Sequence, residues 1–269
     1  MASAVAKPVE LLATPKFVYW SERSREVKRV PRAGGYASLV DEQHDVHALT
    51  ADGAGVYWLM LRGVRRLSSG ESVPTTVFAN EKVTMQGLVS DGSAIFWGAY
   101  GGSGFVLGND NRGDRQWWVT GERDPPVVVG VEGADLYVQS WPSLDLVRVP
   151  KRGGKRTIVW HAVPEGGLAI GGGAAWTTHL ADGTISRRPL SAGAVSKVVA
   201  RGLDGVRSPL LSGGFVYWRD NRGVARLSTR SDRVQRVVDE AGVLAFSIEG
   251  SEVFWGTETE IFAAALPAR

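Results

Sequence analysis

The chain repeats a short aromatic signature at nearly constant spacing along its length. Each copy has two adjacent positions, of which the first is usually Tyr or Phe and the second is usually Trp. The seven copies are Tyr19-Trp20, Tyr57-Trp58, Phe96-Trp97, Tyr137-Val138, Ala175-Trp176, Tyr217-Trp218 and Phe254-Trp255. Successive second positions lie 38, 39, 41, 38, 42 and 37 residues apart. Such a period indicates one supersecondary unit that is repeated seven times.

Each repeat contains enough short apolar runs for four strands. In the second repeat these runs are Val46–Thr50, Val56–Leu61, Val64–Leu67 and Thr75–Phe78. The runs are nearly continuous, which is typical of sheets covered on both faces. Glycine-containing pairs mark the turn between the first two strands, at Asp52-Gly53, Asp91-Gly92, Glu132-Gly133, Ser212-Gly213 and Glu249-Gly250. The pattern predicts an all-β, seven-bladed β-propeller with four-stranded antiparallel blades.

The repeats also predict how the ring is organised. Seven units of roughly 39 residues span the sequence, so residues 1–269 are expected to form a single propeller domain. The last repeat supplies only three apolar runs, and we expect Ser3–Ala6 to add its missing outer strand. The N-terminal strand would then close the ring and cover an edge that otherwise exposes unpaired backbone groups.

Composition excludes several kinds of site. The sequence has no cysteine, so disulfides, thiolate nucleophiles and sulfur-ligated metals are excluded. The formal net charge is only +3, which does not favour nucleic acid as a partner. We find no apolar run of the roughly 20 residues that a membrane span needs, and we expect a soluble monomer. Localisation stays open, because Ala4-Val5-Ala6 fits both an exported protein with its leader removed and the closing strand.

Two local features depart from, or add to, the simple repeat. Five of the seven repeats place an arginine in the third strand, at Arg29, Arg66, Arg148, Arg187 and Arg226, with Leu107 and Ala263 in the other two. A ring distributes these arginines around its circumference and does not collect them in one groove. We therefore interpret them as side chains whose aliphatic stems cover apolar surface. The third repeat is irregular and carries Trp117 and Trp118 in its fourth strand. This pair marks either a functional edge or packing on a neighbouring blade.

Candidate ligand-binding residues follow from the usual position of propeller sites. We expect a site at the mouth of the axial channel, which is built from the loops between the second and third strands and from the entries into the first strands. These segments carry a mixture of charged, amide and aromatic side chains suited to a small polar or carbohydrate-like ligand. The candidates are Glu22, Arg23, His44, His47, Gln86, Tyr100, Gln139, Trp141, His179, Arg219, Asp220 and Glu258.

Histidines are the natural place to look for a metal or a catalytic base. Only His44 and His47 are close in sequence, and His179 would have to reach them across the channel. Because a transition-metal site usually needs three or four convergent ligands, we predict no metal and no cofactor. No Gly-x-Ser-x-Gly motif is present, so a hydrolase triad would have to be assembled from distant loops.

The repeats resemble those of known bacterial propellers. Asp91-Gly92 followed by Ile95-Phe96-Trp97, and Val56-Tyr57-Trp58 followed by Val64-Arg65-Arg66-Leu67, resemble YWTD-type repeats. A looser likeness links the chain to the virginiamycin B lyase and NHL-type seven-bladed propellers. That resemblance implies a magnesium-assisted lyase at the channel mouth, although no residue here matches the family's catalytic His and Glu. Likeness of fold alone does not transfer function.

Three functional hypotheses therefore remain open. The first is a non-catalytic propeller that binds a small polar ligand or a protein partner on its loop face. The second is a lyase or hydrolase whose acid–base groups come from His44, His47, His179, Glu22 and Asp220. The third is a structural or assembly role, which an exposed apolar patch near Trp117, Trp118 or Trp141 would favour.

Overall fold

The computed structural model describes residues 2–3, 7–22, 25–42, 45–111, 115–164, 166–191, 193–231 and 233–267. Within these residues the chain forms seven antiparallel sheets of four strands each. The prediction of an all-β, seven-bladed propeller is confirmed. No helix among the described residues has the length and apolar character needed to cross a bilayer.

The first half of the chain builds three complete blades. A short strand, β1 (Ala2–Ser3), precedes them. Blade 1 consists of β2 (Pro8–Ala13), β3 (Phe17–Glu22), β4 (Glu26–Pro31) and β5 (Ser38–Glu42). Blade 2 consists of β6 (Ala48–Asp52), β7 (Gly55–Met60), β8 (Gly63–Ser68) and β9 (Thr75–Ala79). Blade 3 consists of β10 (Thr84–Ser90), β11 (Ala94–Tyr100), β12 (Gly104–Asp110) and β13 (Gln116–Glu122).

The second half repeats the same plan. Blade 4 consists of β14 (Pro126–Glu132), β15 (Asp135–Ser140), β16 (Leu146–Pro150) and β17 (Thr157–Trp160). Blade 5 consists of β18 (Leu168–Gly171), β19 (Ala174–His179), β20 (Thr184–Pro189) and β21 (Lys197–Ala200). Blade 6 consists of β22 (Arg207–Ser212), β23 (Phe215–Asp220), β24 (Gly223–Ser228) and β25 (Val234–Asp239). Blade 7 contains β26 (Ala245–Glu249), β27 (Glu252–Gly256) and β28 (Glu260–Ala265).

The ring is closed by the N-terminus, as the sequence predicts. β1 pairs with β28 through Ala2 with Ile261 and Ser3 with Glu260, so it is the fourth strand of blade 7. Among the described residues the closing strand is Ala2–Ser3, and Ala4–Ala6 of the predicted segment lie outside the described residues. Inside the ring, β2 contacts both β6 and β26, which places the first strand of each blade next to the axis.

The aromatic ladder fills the seams, by which we mean the packed interfaces between neighbouring blades. Trp58 packs towards blade 1 in a cluster with Tyr19, whereas Tyr57 packs towards blade 3 in a cluster with Trp97. Adjacent strand residues point to opposite faces, so an aromatic pair serves both seams of its blade. Full burial of each large ring contributes on the order of 2–3 kcal/mol. The recurrence of the pair thus has a direct packing cause.

The third-strand arginines need one correction of register. The residue opposite the first ladder position is Arg66 in blade 2, where it pairs with Tyr57. By the same pairing, blade 5 uses Arg188 opposite Ala175 and not Arg187, and blade 3 has Gly108 opposite Phe96 and not Leu107. Cross-strand hydrogen bonding sets this register, and a shift by one residue would turn the side chain to the other face.

The arginine side chains are used individually within the fold. Arg29 lies over the Phe17 ring at 4.6 Å, and Arg188 lies over the Trp160 ring at 5.0 Å. Arg66 donates to the Asn111 carbonyl at 2.6 Å. These contacts agree with the interpretation that the arginines cover and clamp apolar surface.

Candidate functional site

One end of the ring carries the segments predicted to bind a ligand. The second strands end there and the first strands begin there, and we call this end the mouth. Because hairpins alternate in direction, the turns between first and second strands lie at the opposite end. The described candidates therefore belong to one end of the molecule, whereas Arg23 and His44 lie outside the described residues.

Two acidic candidates are engaged within their own blades. Glu22 is buried and accepts hydrogen bonds from Trp20 Nε1 at 2.9 Å and Lys28 Nζ at 2.8 Å. Asp220 is also buried and receives both terminal nitrogens of Arg236, at 2.8 and 3.0 Å. A bidentate pair of this kind holds the carboxylate in place. Both groups therefore stabilise the ends of the second strands.

The two described candidate histidines are likewise bound to the fold. His47 Nδ1 lies 2.7 Å from the Asp45 carbonyl oxygen, and Nε2 lies 3.1 Å from the Met85 carbonyl oxygen. His179 Nε2 lies 2.9 Å from the Thr177 hydroxyl. Among the described residues, no three His, Asp or Glu side chains form a group that could hold a metal ion.

The remaining predicted residues form a mixed rim. Trp141 follows β15 and is 53% exposed, while Tyr100 and Gln139 are half-buried at strand ends. Gln86 lies in β10, next to a bulge in its pairing with β11. Glu258 forms an exposed ion pair with Lys7 at 2.8 Å. The rim therefore offers aromatic and amide groups beside a few surface charges.

Arg219 belongs to a charged group that the sequence analysis found only in part. It lies opposite Arg207 in the inner hairpin of blade 6, and Glu10 of blade 1 acts on it electrostatically. Arg219 donates from Nη1 to the Val243 carbonyl at 3.2 Å, so its head is held close to the entry of β26. Glu10 lies in β2, the innermost strand of its blade. The group therefore joins blades 1 and 6 near the axis.

Two members of this charged cluster, Glu10 and Arg219, have shifted pKa values. Burial raises the pKa of Glu10 to about 7, although the Arg219 guanidinium acts in the opposite direction. Burial also lowers the pKa of Arg219, and the charge of Arg207 lowers it further. Sequence reasoning missed Glu10 and Arg207. A usable signal was present at Glu10, because it is the single charge in the apolar segment from Pro8 to Ala13.

Several cavities lie away from the axis, on seams. One of about 450 Å³ lies between blades 1 and 2 at the end opposite the mouth, where Lys16, Arg29 and Asp52 contribute to its wall. Two others flank the seam between blades 3 and 4. The first, about 310 Å³, includes Asp91, Trp117 and Lys151, and the second, about 150 Å³, includes Glu122 and Arg156. That seam is the one whose ladder position holds Val138 in place of Trp.

Trp117 and Trp118 take separate roles at the blade 3 edge. Trp117 packs on blade 4, donating from Nε1 to the Lys151 carbonyl at 2.9 Å and meeting Phe96 edge-on. Trp118 stacks on Phe105 with ring centroids 4.8 Å apart and remains more than half exposed. The packing interpretation therefore fits Trp117, whereas Trp118 is a surface aromatic.

Comparison with solved structures identifies similar folds. The chain is similar to virginiamycin B lyase from Staphylococcus aureus, with a TM-score of 0.74 and 12% identity over 98% of this chain and 96% of that one. PorZ, a surface component of the type-IX secretion system of Porphyromonas gingivalis, gives 0.73 at 13% identity over 99% of this chain and 39% of that one. Oligogalacturonate lyase from Vibrio parahaemolyticus gives 0.67 at 8% identity over 98% and 91%.

Sequence comparison adds no family. No protein-family model matches the chain, and no curated protein matches it significantly. At 8–13% identity the structural likenesses show the fold alone. They confirm the expected loose similarity to virginiamycin B lyase-type propellers.

Proposed function

We propose that this chain is a non-catalytic recognition propeller whose channel mouth binds a small carboxylate-bearing ligand, with Arg219, Arg207 and Glu10 as the polar centre. The predicted organisation of the chain as a single domain is part of this proposal. The observation that carries it is the pair of like charges formed by Arg207 and Arg219 across the inner hairpin of blade 6.

Such a pair is unfavourable without a partner anion. Like charges directly opposite each other destabilise a sheet, and here burial adds a desolvation cost at Arg219. Glu10 offsets this only in part, because a carboxyl with a pKa of about 7 is incompletely ionised near neutral pH. A bound carboxylate would supply the missing negative charge. Ionisable groups with perturbed pKa values, clustered at a concave mouth, are typical of functional sites.

The rim residues suit such a ligand. Trp141 and Leu180 are each 53% exposed, and both follow second strands at the mouth. An aromatic face beside an arginine pair fits a ring that carries an acidic group, such as a sugar acid. Tyr100, Gln139 and His179 supply further polar contacts in this proposal, while Glu22 and Asp220 hold the strand ends.

A binding experiment tests the proposal with a charged sugar and its neutral counterpart. We expect galacturonate to bind measurably by calorimetry and galactose to bind roughly tenfold or more weakly, because only the acid can pair with the arginines. Arg219→Ala should weaken galacturonate binding by a similar factor. Arg230→Ala removes the same charge from an exposed turn at the opposite end and serves as the matched control. Equal binding of both sugars, or equal losses in both variants, would contradict the proposal.

The pH dependence gives a second readout. Ionised Glu10 repels an anionic ligand, and protonation through its pKa of about 7 removes that repulsion. The carboxyl of the sugar acid stays ionised in this range. Galacturonate should therefore bind more tightly at pH 6 than at pH 8. Glu10→Gln should abolish the difference, and an unchanged pH profile in that variant would remove Glu10 from the site.

A lyase is the second candidate function, and one observation favours it. The pKa of Glu10 lies near the optimum for a general acid or base at neutral pH. Two similar structures are lyases, one of them named for oligogalacturonate. Incubation with oligogalacturonate, followed by detection of an unsaturated product, separates the two functions. Binding without product supports recognition, whereas product lost in Glu10→Gln would replace it with catalysis.

A further inference from the structure

The cavity of about 150 Å³ on the seam between blades 3 and 4 contains a buried carboxylate that is only half satisfied. The Glu122 side chain is 2% exposed, and its Oε2 accepts from Arg156 Nη2 at 2.7 Å. Its other oxygen, Oε1, is buried without a hydrogen-bond partner. The cavity wall is formed by Glu122, Arg123, Asp124, Ser140, Ser143, Asp145, Val147, Arg156 and Ile158.

Burial raises the pKa of Glu122, and nearby Asp124 acts in the same direction against Arg156 and Thr120. A buried acceptor that lacks a donor costs the free energy of its lost hydration. Native structures seldom leave such an atom unpaired without a reason. The half-satisfied carboxylate therefore suggests a donor that enters the cavity.

Two other seams show a donor that can fill this role. Trp58 Nε1 donates to Asp41 at 3.0 Å, and Trp255 Nε1 donates to Glu240 at 2.8 Å. Asp41 also pairs with Arg65 Nε at 3.1 Å, as Glu122 pairs with Arg156. In these two seams, a ladder indole from the following blade donates to a carboxylate from the preceding blade.

Strand register makes Glu122 the counterpart of Glu240. In blade 6, Val238 lies opposite Val224, which lies opposite the residue after Trp218. In blade 3, Thr120 lies opposite Val106, which lies opposite the residue after Trp97. Glu240 and Glu122 each follow that position by two residues. Glu122 therefore stands where a carboxylate would receive the indole of blade 4.

Blade 4 lacks that indole. Val138 occupies its ladder position and packs against blade 3 in a cluster with Phe96 and Val106. Val147, the cross-strand partner of Val138, lines the cavity. The cavity that contains Glu122 therefore adjoins the strand pair that carries Val138.

We propose that this cavity binds a small aromatic molecule bearing a ring N–H, which donates to Glu122 Oε1 in the place of the absent ladder indole. A cavity of about 150 Å³ is large enough to hold a benzene-sized ring. Val147 and Ile158 give the ring apolar contacts, while Ser140 and Ser143 accommodate polar substituents. The site lies off the axis and does not depend on the function proposed for the mouth.

Two ligands of nearly equal shape test the proposal on the unaltered protein. Indole carries the N–H donor, whereas benzofuran has an oxygen in its place. We expect saturable one-to-one binding of indole by calorimetry, with benzofuran weaker by about tenfold or more, since the lost bond is to a charged acceptor. In NMR spectra of ¹⁵N-labelled indole, the N–H proton should move downfield on binding. Absence of saturable indole binding, or equal affinity for the two ligands, would overturn the proposal.

Variants then locate the site. Glu122→Ala should weaken indole binding by about tenfold or more, while Glu71→Ala, which removes an exposed carboxylate at the opposite end, should not change it. Val138→Trp should abolish indole binding, because the side chain restores the ladder and fills the cavity. Unchanged affinity in a folded Glu122→Ala protein would refute the assignment. If a variant fails to fold, the ligand pair on the unaltered protein still decides.

Discussion

The seam between blades 1 and 2 and the seam between blades 3 and 4 solve the same packing problem in different ways. In the first, Trp58 is fully buried and donates to Asp41, which also pairs with Arg65. In the second, the ladder residue is the smaller Val138, and Glu122 pairs with Arg156 through Oε2 while Oε1 has no hydrogen-bond partner. Trp58 therefore does two things, because it fills space between the blades and donates to a buried acceptor.

Blade 3 compensates for part of the lost volume from its outer strand. Trp117 packs on Phe96 and reaches the Lys151 carbonyl of blade 4, near the end opposite the mouth. This explains why blade 3 has Gly108 where five blades have arginine and blade 7 has Ala263, because a Cβ at Gly108 would lie 2.5 Å from the Trp117 ring. The compensation does not reach Glu122 at the mouth end. Trp117 thus compensates for the small Val138 side chain only at the end of the seam opposite the mouth.

The largest expected difference between the seams is in ring burial. Trp58→Ala should lower the free energy of unfolding by about 3–5 kcal/mol, because it opens a cavity and removes the indole that donates to Asp41. Val138→Ala should cost about 2 kcal/mol, in proportion to the smaller volume removed. Denaturant unfolding measures both values. Equal losses would show that the two ladder positions carry equal packing roles.

The next-largest expected difference is between the two buried carboxylates, Asp41 and Glu122, in their contributions to stability. Asp41→Asn should cost about 2–3 kcal/mol, since the buried carboxylate accepts a hydrogen bond from Trp58 Nε1 and forms an ion pair with Arg65. Glu122→Gln should be nearly neutral at low pH and stabilising at high pH. The pKa of Glu122 is raised in the folded protein. The contribution of Glu122 to the free energy of unfolding therefore falls as the pH rises from the pKa of the unfolded chain through the pKa of the folded protein. Unfolding curves at pH 4 and pH 8 check the sign, and a variant that loses stability more at pH 8 would reverse it.

The Gly108 contact tests the compensation by Trp117. Gly108→Ala should cost about 1–3 kcal/mol, because the added methyl displaces the ring. Gly121→Ala is the matched control in the adjacent strand, where the nearest atom to an added Cβ lies 4.0 Å away. The control should be neutral or slightly stabilising. Similar costs at both glycines would indicate that Trp117 is not held tightly.

The smallest effect concerns the Trp117 hydrogen bond. Trp117→Phe removes the donor to Lys151 and should cost about 1–2 kcal/mol, including lost ring area. Trp118→Phe keeps the exposed stack on Phe105 and should change stability by about 0.5 kcal/mol or less. Thermal unfolding of both variants under identical conditions makes the comparison. A larger loss of stability in Trp118→Phe would show that the exposed ring contributes more to stability than Trp117 does.

Strand boundaries illustrate how far local pattern reading reaches. The apolar pattern of the second repeat predicts strands that start at Val46, Val56, Val64 and Thr75, whereas the strands begin at Ala48, Gly55, Gly63 and Thr75. The sequence pattern also places the third-strand position one residue from the true register in two blades, at Leu107 for Gly108 in blade 3 and at Arg187 for Arg188 in blade 5. Pairing is set by hydrogen bonds between strands, which an apolar pattern locates only to within a residue or two.

For the candidate site, residue type alone was a weaker guide. Glu22, Asp220 and His47 have chemistry suited to catalysis, yet each is engaged by neighbours within the fold. Glu10 lies in an apolar strand and was passed over, although burial raises its pKa to about 7. The partners of a polar group determine its availability, and for Glu22 and Asp220 they come from the same blade, whereas His47 meets the Met85 carbonyl of the next blade.

The amino-acid sequence by itself determined the seven-fold repeat, the four-stranded blades and the place of each aromatic pair, because these follow from local periodicity. The tertiary structure alone decided which blades face each other through which side chains. Glu10 and Arg219 interact only because the ring brings blades 1 and 6 close together. Glu122 Oε1 has no hydrogen-bond partner in a seam where the ladder residue of blade 4 is Val138. A repeat specifies equivalent positions, whereas charge balance and cavities depend on what meets across a seam.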